Sequence, residues 1–463
     1  MRSRTDLKRS FHEDRLRSSE TTARPVVTTR TPLRRSPLTN SNGRFLSASN
    51  GRFLSAASTK PTRLHFDVPL LLITITLLVF GMLMVYSASA DFSYEVNGDA
   101  TAIFKRQLSF LGVGLLAVTV MFIVNYHAWQ KLALFAMGAT IVALVAVLFT
   151  GDVRFGAIRA LYNGSVQPSE LAKVVTVLYL TVWLYAKRDK LHDISFGLIP
   201  LGMILGFLGG LIYLQPDLSA ALTIFLIGGI LFFLAGGDLK QIFIVLILAL
   251  LVGALVVTSG GLTGTGNERI NSFLAGWVDP LKASYHVQRS LEAFVKGGFF
   301  GVGIGNADTK FTGLPVPHTD SIFAVVGEET GLLGSTILVV LYSLLLWRGL
   351  VIAQRAPDAL GRLLASGLSI WLAMEAYINM AVMVGLMPFA GNALPFISVG
   401  GSNLVMSLVS VGIILNISRL SEQSAEVEEK TFSEVVDLRW WDRRRRVSSS
   451  RRSPRPDVST TNR

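Results

Sequence analysis

The chain has 463 residues, 51% of them hydrophobic and only 16% charged, with a mean hydropathy of +0.50. Soluble domains carry about 25% charged residues, so an ordinary soluble globular protein is excluded and most of the surface must face something other than water. The formal charge of +12 sits at the ends: residues 1–63 hold 14 Lys/Arg against 4 Asp/Glu and residues 419–463 hold 11 against 8, whereas 64–418 balance at 18 against 19.

That distribution argues for polar tails flanking a membrane body and against a nucleic-acid partner. Cysteine is absent, which removes disulfides and Cys-ligated metals. Residues 1–63 are rich in Ser, Thr, Arg and Pro and repeat the octapeptide SNGRFLSA at 41–48 and 49–56. Two short polar copies cannot build a solenoid, and this tail reads as disordered. The first long apolar run begins near Val68, too far along the chain for a cleaved signal peptide.

A hydrocarbon core about 30 Å thick needs roughly 20 apolar residues of helix. By that measure the chain is an all-α polytopic membrane protein with ten candidate spans, at about 68–88, 107–125, 129–150, 170–186, 194–214, 217–236, 240–258, 321–347, 360–385 and 398–418. With ten spans, the clusters Lys187, Arg188, Lys190 and Arg348, Arg355, Arg362 fall on the same side as both basic tails. The positive-inside rule then makes the termini cytoplasmic and puts the long loop at about 259–320 outside. The expected organisation is a tail at 1–63, a membrane domain at 64–420 and a second cytoplasmic tail at 421–463.

Ionisable residues at membrane depth are costly, so each raises a functional question. Four segments concentrate them on the expected outer side. The first, 154–173, holds Arg159, Gln167, Ser169, Glu170 and Lys173. Ser169 and Glu170 suit a helix start. Lys173 either pairs with Glu170 at i,i+3 or serves as a cation aimed at an anionic headgroup. The second, Gln215, Pro216 and Asp217, reads equally well as a tight surface turn.

The third runs through a glycine-rich stretch at 297–305 and Lys310 to LPVPHTD at 314–320, then Glu328 and Glu329. The stretch GGFFGVGIGN lacks the GK[ST] ending of a P-loop, so its glycines serve close backbone packing or approach to a ligand. Asp320 is either an N-terminal cap of the next span or a carboxylate facing a cavity and available as a general base. His318 either tunes Asp320 or is a hydrogen-bonded loop residue. The fourth, 379–403, contains Pro388, Pro395, Ser398, Gly400 and Gly401 in an apolar context. Broken backbone at membrane depth is sheltered by protein or lines a cavity, so a re-entrant segment is expected.

Taken together, QPSELAK at 167–173, QPDL at 215–218, GVGIGN with Lys310 after it, HTD-IFAVVGEE-G at 318–331 and NALPFISVGGSN at 392–403 resemble the SEDS family, the FtsW/RodA type of polytopic peptidoglycan glycosyltransferase. The likeness spans about 66–420 and is nearer the FtsW division branch. It implies polymerisation of lipid II outside the cytoplasmic membrane, for septal synthesis, beside a class B penicillin-binding protein and divisome membrane proteins. Asp320 matches the family's essential aspartate. Arg159, Lys173 and Lys310 match basic positions that would face the pyrophosphate, with Gln167, Glu170, Ser398, Gly400 and Gly401 as further substrate-binding candidates. Val316 stands where the family commonly has Glu, and Ser321, Ser219, Ala220, Val399 and Asn403 are further departures.

The leaving group is already good, so one base and cationic stabilisation suffice, without the carboxylate pair of most glycosidases. The expected step is proton removal from an acceptor hydroxyl by Asp320, with inversion at the donor carbon. A divalent ion, Mg²⁺ or Mn²⁺, is compatible with oxygen ligands of this kind, although no ligand pattern in the sequence specifies one. Two alternatives remain open from the sequence: a lipid II flippase and a noncatalytic divisome scaffold.

Overall fold

A computed structural model of the chain describes residues 66–150, 152–154, 157–160, 167–215, 217–241, 243–244, 247 and 265–448, with the backbone alone for 150, the two short strands, 265–267 and 427–448. Its helices are α1 (Val68–Asn97), α2 (Ala102–Ile123), α3 (Tyr126–Thr150), α4 (Pro168–Lys187), α5 (Leu198–Tyr213), α6 (Leu218–Leu234), α7 (Thr265–Val278), α8 (Tyr285–Gly297), α9 (Ile322–Arg355), α10 (Ala359–Met383) and α11 (Gly401–Ser448). Between α3 and α4 an antiparallel hairpin pairs β1 (Asp152–Arg154) with β2 (Ala157–Ala160), a small departure from the purely helical expectation.

Among the described residues, seven helices are long and apolar enough to cross a membrane: α1 to α4, α9, α10 and α11 as far as Glu426. The shorter apolar helices α5 and α6 follow the fifth and sixth predicted spans. The seventh, 240–258, lies largely outside the described residues. The protein is thus a polytopic helical membrane protein. The long loop expected at 259–320 is not irregular throughout, because it contains α7 and α8. Along α8 the residues Val287, Ser290, Ala293 and Gly297 are buried, the 3-and-4 spacing of a helix lying on a surface rather than spanning lipid. The backbone of α11 continues as helix to Ser448, well past the expected end of the membrane domain at 420.

The helix starts follow local chemistry. Asp67 caps α1, its Oδ1 accepting from Leu70 N at 2.9 Å, and Asp358 caps α10 through Gly361 N at 2.7 Å. Each occupies an N-terminus whose amides lack helical partners. α10 is the inner helix of the bundle: 83% of its most apolar stretch is buried, against 11% for α2, whose side chains face outward. The core around α10 includes Trp371, Tyr342 and Phe232, all fully buried.

Two interruptions shape the end of the bundle that carries α7 and α8. α9 breaks at Gly331 (φ 71°), and the glycine-rich loop 298–303 lies against that break. Val302 N and Gly303 N donate to Glu328 O and Glu329 O at 3.0 and 3.1 Å, while Leu332 N donates to Gly298 O at 2.9 Å. A Cβ at Gly331 would fall 2.4 Å from Gly301 N, so the close backbone packing expected of these glycines is what they provide. Between α10 and α11 the chain has no helix from 385 to 400, yet Leu394, Phe396, Ile397 and Ser398 are buried.

Candidate active site

Residues 316–320 form the turn that feeds α9. Val316 holds left-handed backbone (φ 47°), a conformation that a β-branched side chain seldom adopts. Such strain persists only where the surroundings impose it. Here three successive carbonyls of the turn are held by groups outside it. Val399 N donates to His318 O at 2.9 Å, Ser398 Oγ to Thr319 O at 2.7 Å, and Asn379 Nδ2 to Asp320 O at 2.9 Å. Ser398 in turn accepts from Leu394 N at 2.7 Å.

Asp320 itself is half-buried. Gly391 stands directly beside it, where an added Cβ would lie 2.8 Å from Asp320 Oδ2. His318 is buried with its ring stacked on Phe92, centroids 4.7 Å apart. Burial pushes its pKa down to about 4, so at neutral pH it is an uncharged wall of the turn. A carboxylate held this way can accept a proton, and the fixed backbone defines the direction from which it does so.

Lys310 reaches away from open space. Its side chain is 4% exposed, and Nζ donates to Gly305 O at 2.8 Å, Ser87 O at 3.2 Å and Glu329 Oε1 at 3.3 Å. An ammonium has three protons, and all three are used. Ser87 Oγ also donates to Glu329 Oε1 at 2.6 Å. The neighbouring Glu328 accepts from Asp308 N at 2.8 Å and from Thr309 N at 3.2 Å. The GEE pair thus pins the loop 305–310 to α9, three turns or less beyond Asp320.

Gln167, Glu170 and Lys173 come together in a second cluster. Lys173 Nζ donates to Glu170 Oε1 at 2.8 Å and also to Glu375 on α10. Asn403 Nδ2 donates to Glu170 Oε2 at 3.0 Å and Glu375 Oε2 at 3.4 Å. All four side chains are buried. Alongside, Gln167 Nε2 and Ser169 Oγ donate to Asp217 Oδ2 at 3.3 and 3.1 Å, and Gln167 N donates to Ser402 Oγ at 2.9 Å. Asp217 caps α6 through Ala220 N, so the QPD break is a helix start as well as a tie to α4. Gly400 N donates to Gln107 Oε1 at 3.3 Å, and Gly401 opens α11 where an added Cβ would meet the Phe110 ring at 2.5 Å.

Lys173 makes the i,i+3 pair with Glu170, one of its two expected readings, and neither it nor Lys310 is presented as an open cation. Each is buried and already neutralised by carboxylates. Arg159 lies on β2, where only the backbone is described. Glu375 escaped the sequence reading, although it is the one acidic residue between 360 and 385, which is signal enough for a buried polar group; Asn379 entered that reading only as the first residue of the 379–403 segment, with no role given to it.

Cavities border the segment between α10 and α11. One, about 260 Å³, is lined by Arg269, Phe273 and Trp277 of α7 and by Val384–Met387 and Phe389. Another, about 310 Å³, is almost wholly apolar and lies among Ile230, Leu346, Met374, Tyr377 and Met387. Among the described residues no three His, Asp or Glu side chains converge as a metal site.

A family model described as "Cell cycle protein", covering FtsW, RodA and SpoVE, matches residues 68–423. The chain belongs to the FtsW/RodA/SpoVE family. It is 38% identical over 358 residues to a protein of Geobacter sp. (strain M18) named "Probable peptidoglycan glycosyltransferase FtsW", covering 76% of this chain and 96% of that one. It is also 38% identical to "Stage V sporulation protein E" of Bacillus subtilis (strain 168), covering 77% and 97%. A solved structure titled "Structural coordination of polymerization and crosslinking by a peptidoglycan synthase complex" matches with a TM-score of 0.64 at 28% identity over 77% of this chain and 99% of that one. The rod shape determining protein RodA of Thermus thermophilus matches with a TM-score of 0.57 at 26% identity over 78% and 98%.

Proposed function

We propose that this chain is a peptidoglycan glycosyltransferase of the FtsW type, which polymerises lipid II for septal wall synthesis. The observation that carries the reading is Asp320, a half-buried carboxylate in a strained turn whose three carbonyls are held from outside, in a chain that matches FtsW-named relatives over nearly their whole length. The termini are cytoplasmic, and the end of the bundle bearing α7, α8 and Asp320 faces outward. A class B penicillin-binding protein is the partner, in keeping with a structural neighbour that couples polymerization and crosslinking.

In the reaction, an Asp320 carboxylate oxygen takes the proton of the acceptor sugar's 4-hydroxyl as that oxygen attacks the donor's anomeric carbon. The C1–O bond to the prenyl pyrophosphate breaks with its electron pair leaving on the pyrophosphate, and the configuration at C1 inverts. The leaving group needs no protonation, so a single carboxylate suffices. Arg159 is the basic residue assigned to the pyrophosphate. Lys173 and Lys310 act instead inside their ion-pair clusters, holding α4, α10 and the 305–310 loop in place. Ser398, Gly400 and Gly401 shape the wall next to the acceptor. Asp320 would supply a divalent ion with one carboxylate only, and no step is assigned to a metal.

Proteoliposomes holding the full chain and its partner, given labelled lipid II on the outside alone, test this reading. Glycan ladders from that lipid II are expected. Movement of the headgroup across the bilayer with no polymer formed would replace the reading with transport.

A further inference from the structure

We infer that Asn379 is the positioning residue of the catalytic aspartate, a role resting on the assignment of Asp320 as the base. Asn379 is fully buried on α10. Its Nδ2 donates both of its protons, one to Asp320 O at 2.9 Å and one to Asn392 O at 2.6 Å. With two carbonyls facing it, this end of the amide must be NH₂, because an amide oxygen there would be repelled by both.

The two acceptors lie on different segments, and both bear on the reacting group. Asp320 O belongs to the base. Asn392 O belongs to the residue after Gly391, whose Cα lies so near the carboxylate that a Cβ would stand 2.8 Å from Asp320 Oδ2. One side chain thus fixes the base and the wall beside it relative to each other. Ser398 and Val399 hold the neighbouring carbonyls of Thr319 and His318, but both donors come from the re-entrant segment itself. Asn379 ties the pair to an inner helix of the bundle.

That helix is in turn fixed in register. Glu375 lies four residues before Asn379, on the same face, and it holds Lys173 of α4 and Asn403 of α11. α10 therefore carries two polar anchors one turn apart, the first set by the buried charge cluster and the second setting Asp320. The role of Asn379 is indirect, since it touches backbone rather than substrate. Its loss should move the base without altering how lipid II binds.

The test is steady-state lipid II polymerisation by the full chain copurified with its partner, comparing Asn379→Leu and Asn379→Ser with wild type. Leu keeps the volume and removes both donors, and Ser keeps one. A displaced general base costs about 100-fold for a shift near 1 Å. The expected result is a kcat lowered about 10- to 100-fold in the Leu variant with KM within about twofold of wild type, an intermediate kcat in the Ser variant, and unchanged copurification of the partner. A Leu variant within about threefold of wild-type kcat, or one whose KM rises while kcat stays, would overturn the inference. If the Leu variant does not fold, the Ser variant decides on the same kcat-against-KM criterion. Full activity of Asp320→Asn would instead remove the base assignment, a failure separable from this one.

Discussion

The enclosed side chains of Lys310 and Lys173 are neutralised in different ways. Lys310 meets one carboxylate, Glu329, and fills its remaining donors with two backbone carbonyls. Lys173 meets two carboxylates, Glu170 and Glu375, which also share the amide of Asn403. The first cluster is balanced and pins a loop. The second carries one carboxylate more than it has cations and joins three membrane-spanning helices, α4, α10 and α11. Each charge is out of water, so a change that leaves one of them uncompensated costs far more than a surface ion pair is worth.

The difference predicts unequal damage. Lys173→Met leaves two carboxylates facing each other with only an amide between them, and a loss of about 3–5 kcal/mol is expected, seen as a large fall in the unfolding temperature of the purified protein. Lys310→Met should cost less, because Ser87 Oγ still donates to Glu329. Equal losses in the two variants would break the comparison.

His318 sharpens it from another side, as a buried titratable group with no counter-ion. Its folded pKa near 4 lies below the unfolded value of 6.5, so the unfolded chain binds the extra proton between those values. The sign is then fixed: stability from this group is complete above about pH 6.5 and falls by about 3 kcal/mol as pH drops to 4. The unfolding temperature of His318→Phe, followed over the same range, should lose that part of the slope. An unchanged slope would mean that the histidine is charged or solvated in the folded protein.

Neutralising a single carboxylate gives the smallest effect and the cleanest contrast. Glu329→Gln strands Lys310 and should destabilise by about 2 kcal/mol. Glu375→Gln removes the surplus charge, leaves Glu170 on Lys173, and should change stability by less than about 1 kcal/mol in either direction. Matched losses in the two Gln variants would show that the surplus carboxylate is not the distinguishing feature.

Much of this was legible in the sequence, and what was hidden has a physical reason. Long apolar runs located the spans because lipid imposes a minimum length. The proline- and glycine-interrupted segment at 379–403 was visible because unpaired backbone at that depth has to be sheltered. Glu170 and Lys173 were readable as a pair because a helix places i and i+3 together. Which residues pair to complete each cluster was not readable, since Glu375 lies 202 residues from Lys173 and Ser87 lies 223 from Lys310. The role of Asn379, the first residue of the segment expected at 379–403, was hidden for the same reason, because its two acceptors are backbone carbonyls with no sequence signature. Lys173 takes the helix pairing that the sequence offered beside the headgroup role, whereas the enclosure of Lys310 was not legible, because a motif gives the identity of a cation but not whether its charge is already spent.

The central claim is that one carboxylate, held by this frame, performs the proton transfer of glycan polymerisation. The most direct measurement is the turnover of labelled lipid II by the full chain with its partner, wild type against Asp320→Asn, at matched protein and partner levels. Wild type should build glycan chains, and the Asn variant, nearly isosteric but unable to accept the proton, should lose at least about 100-fold in rate. Polymer of wild-type length and yield from Asp320→Asn would contradict the account.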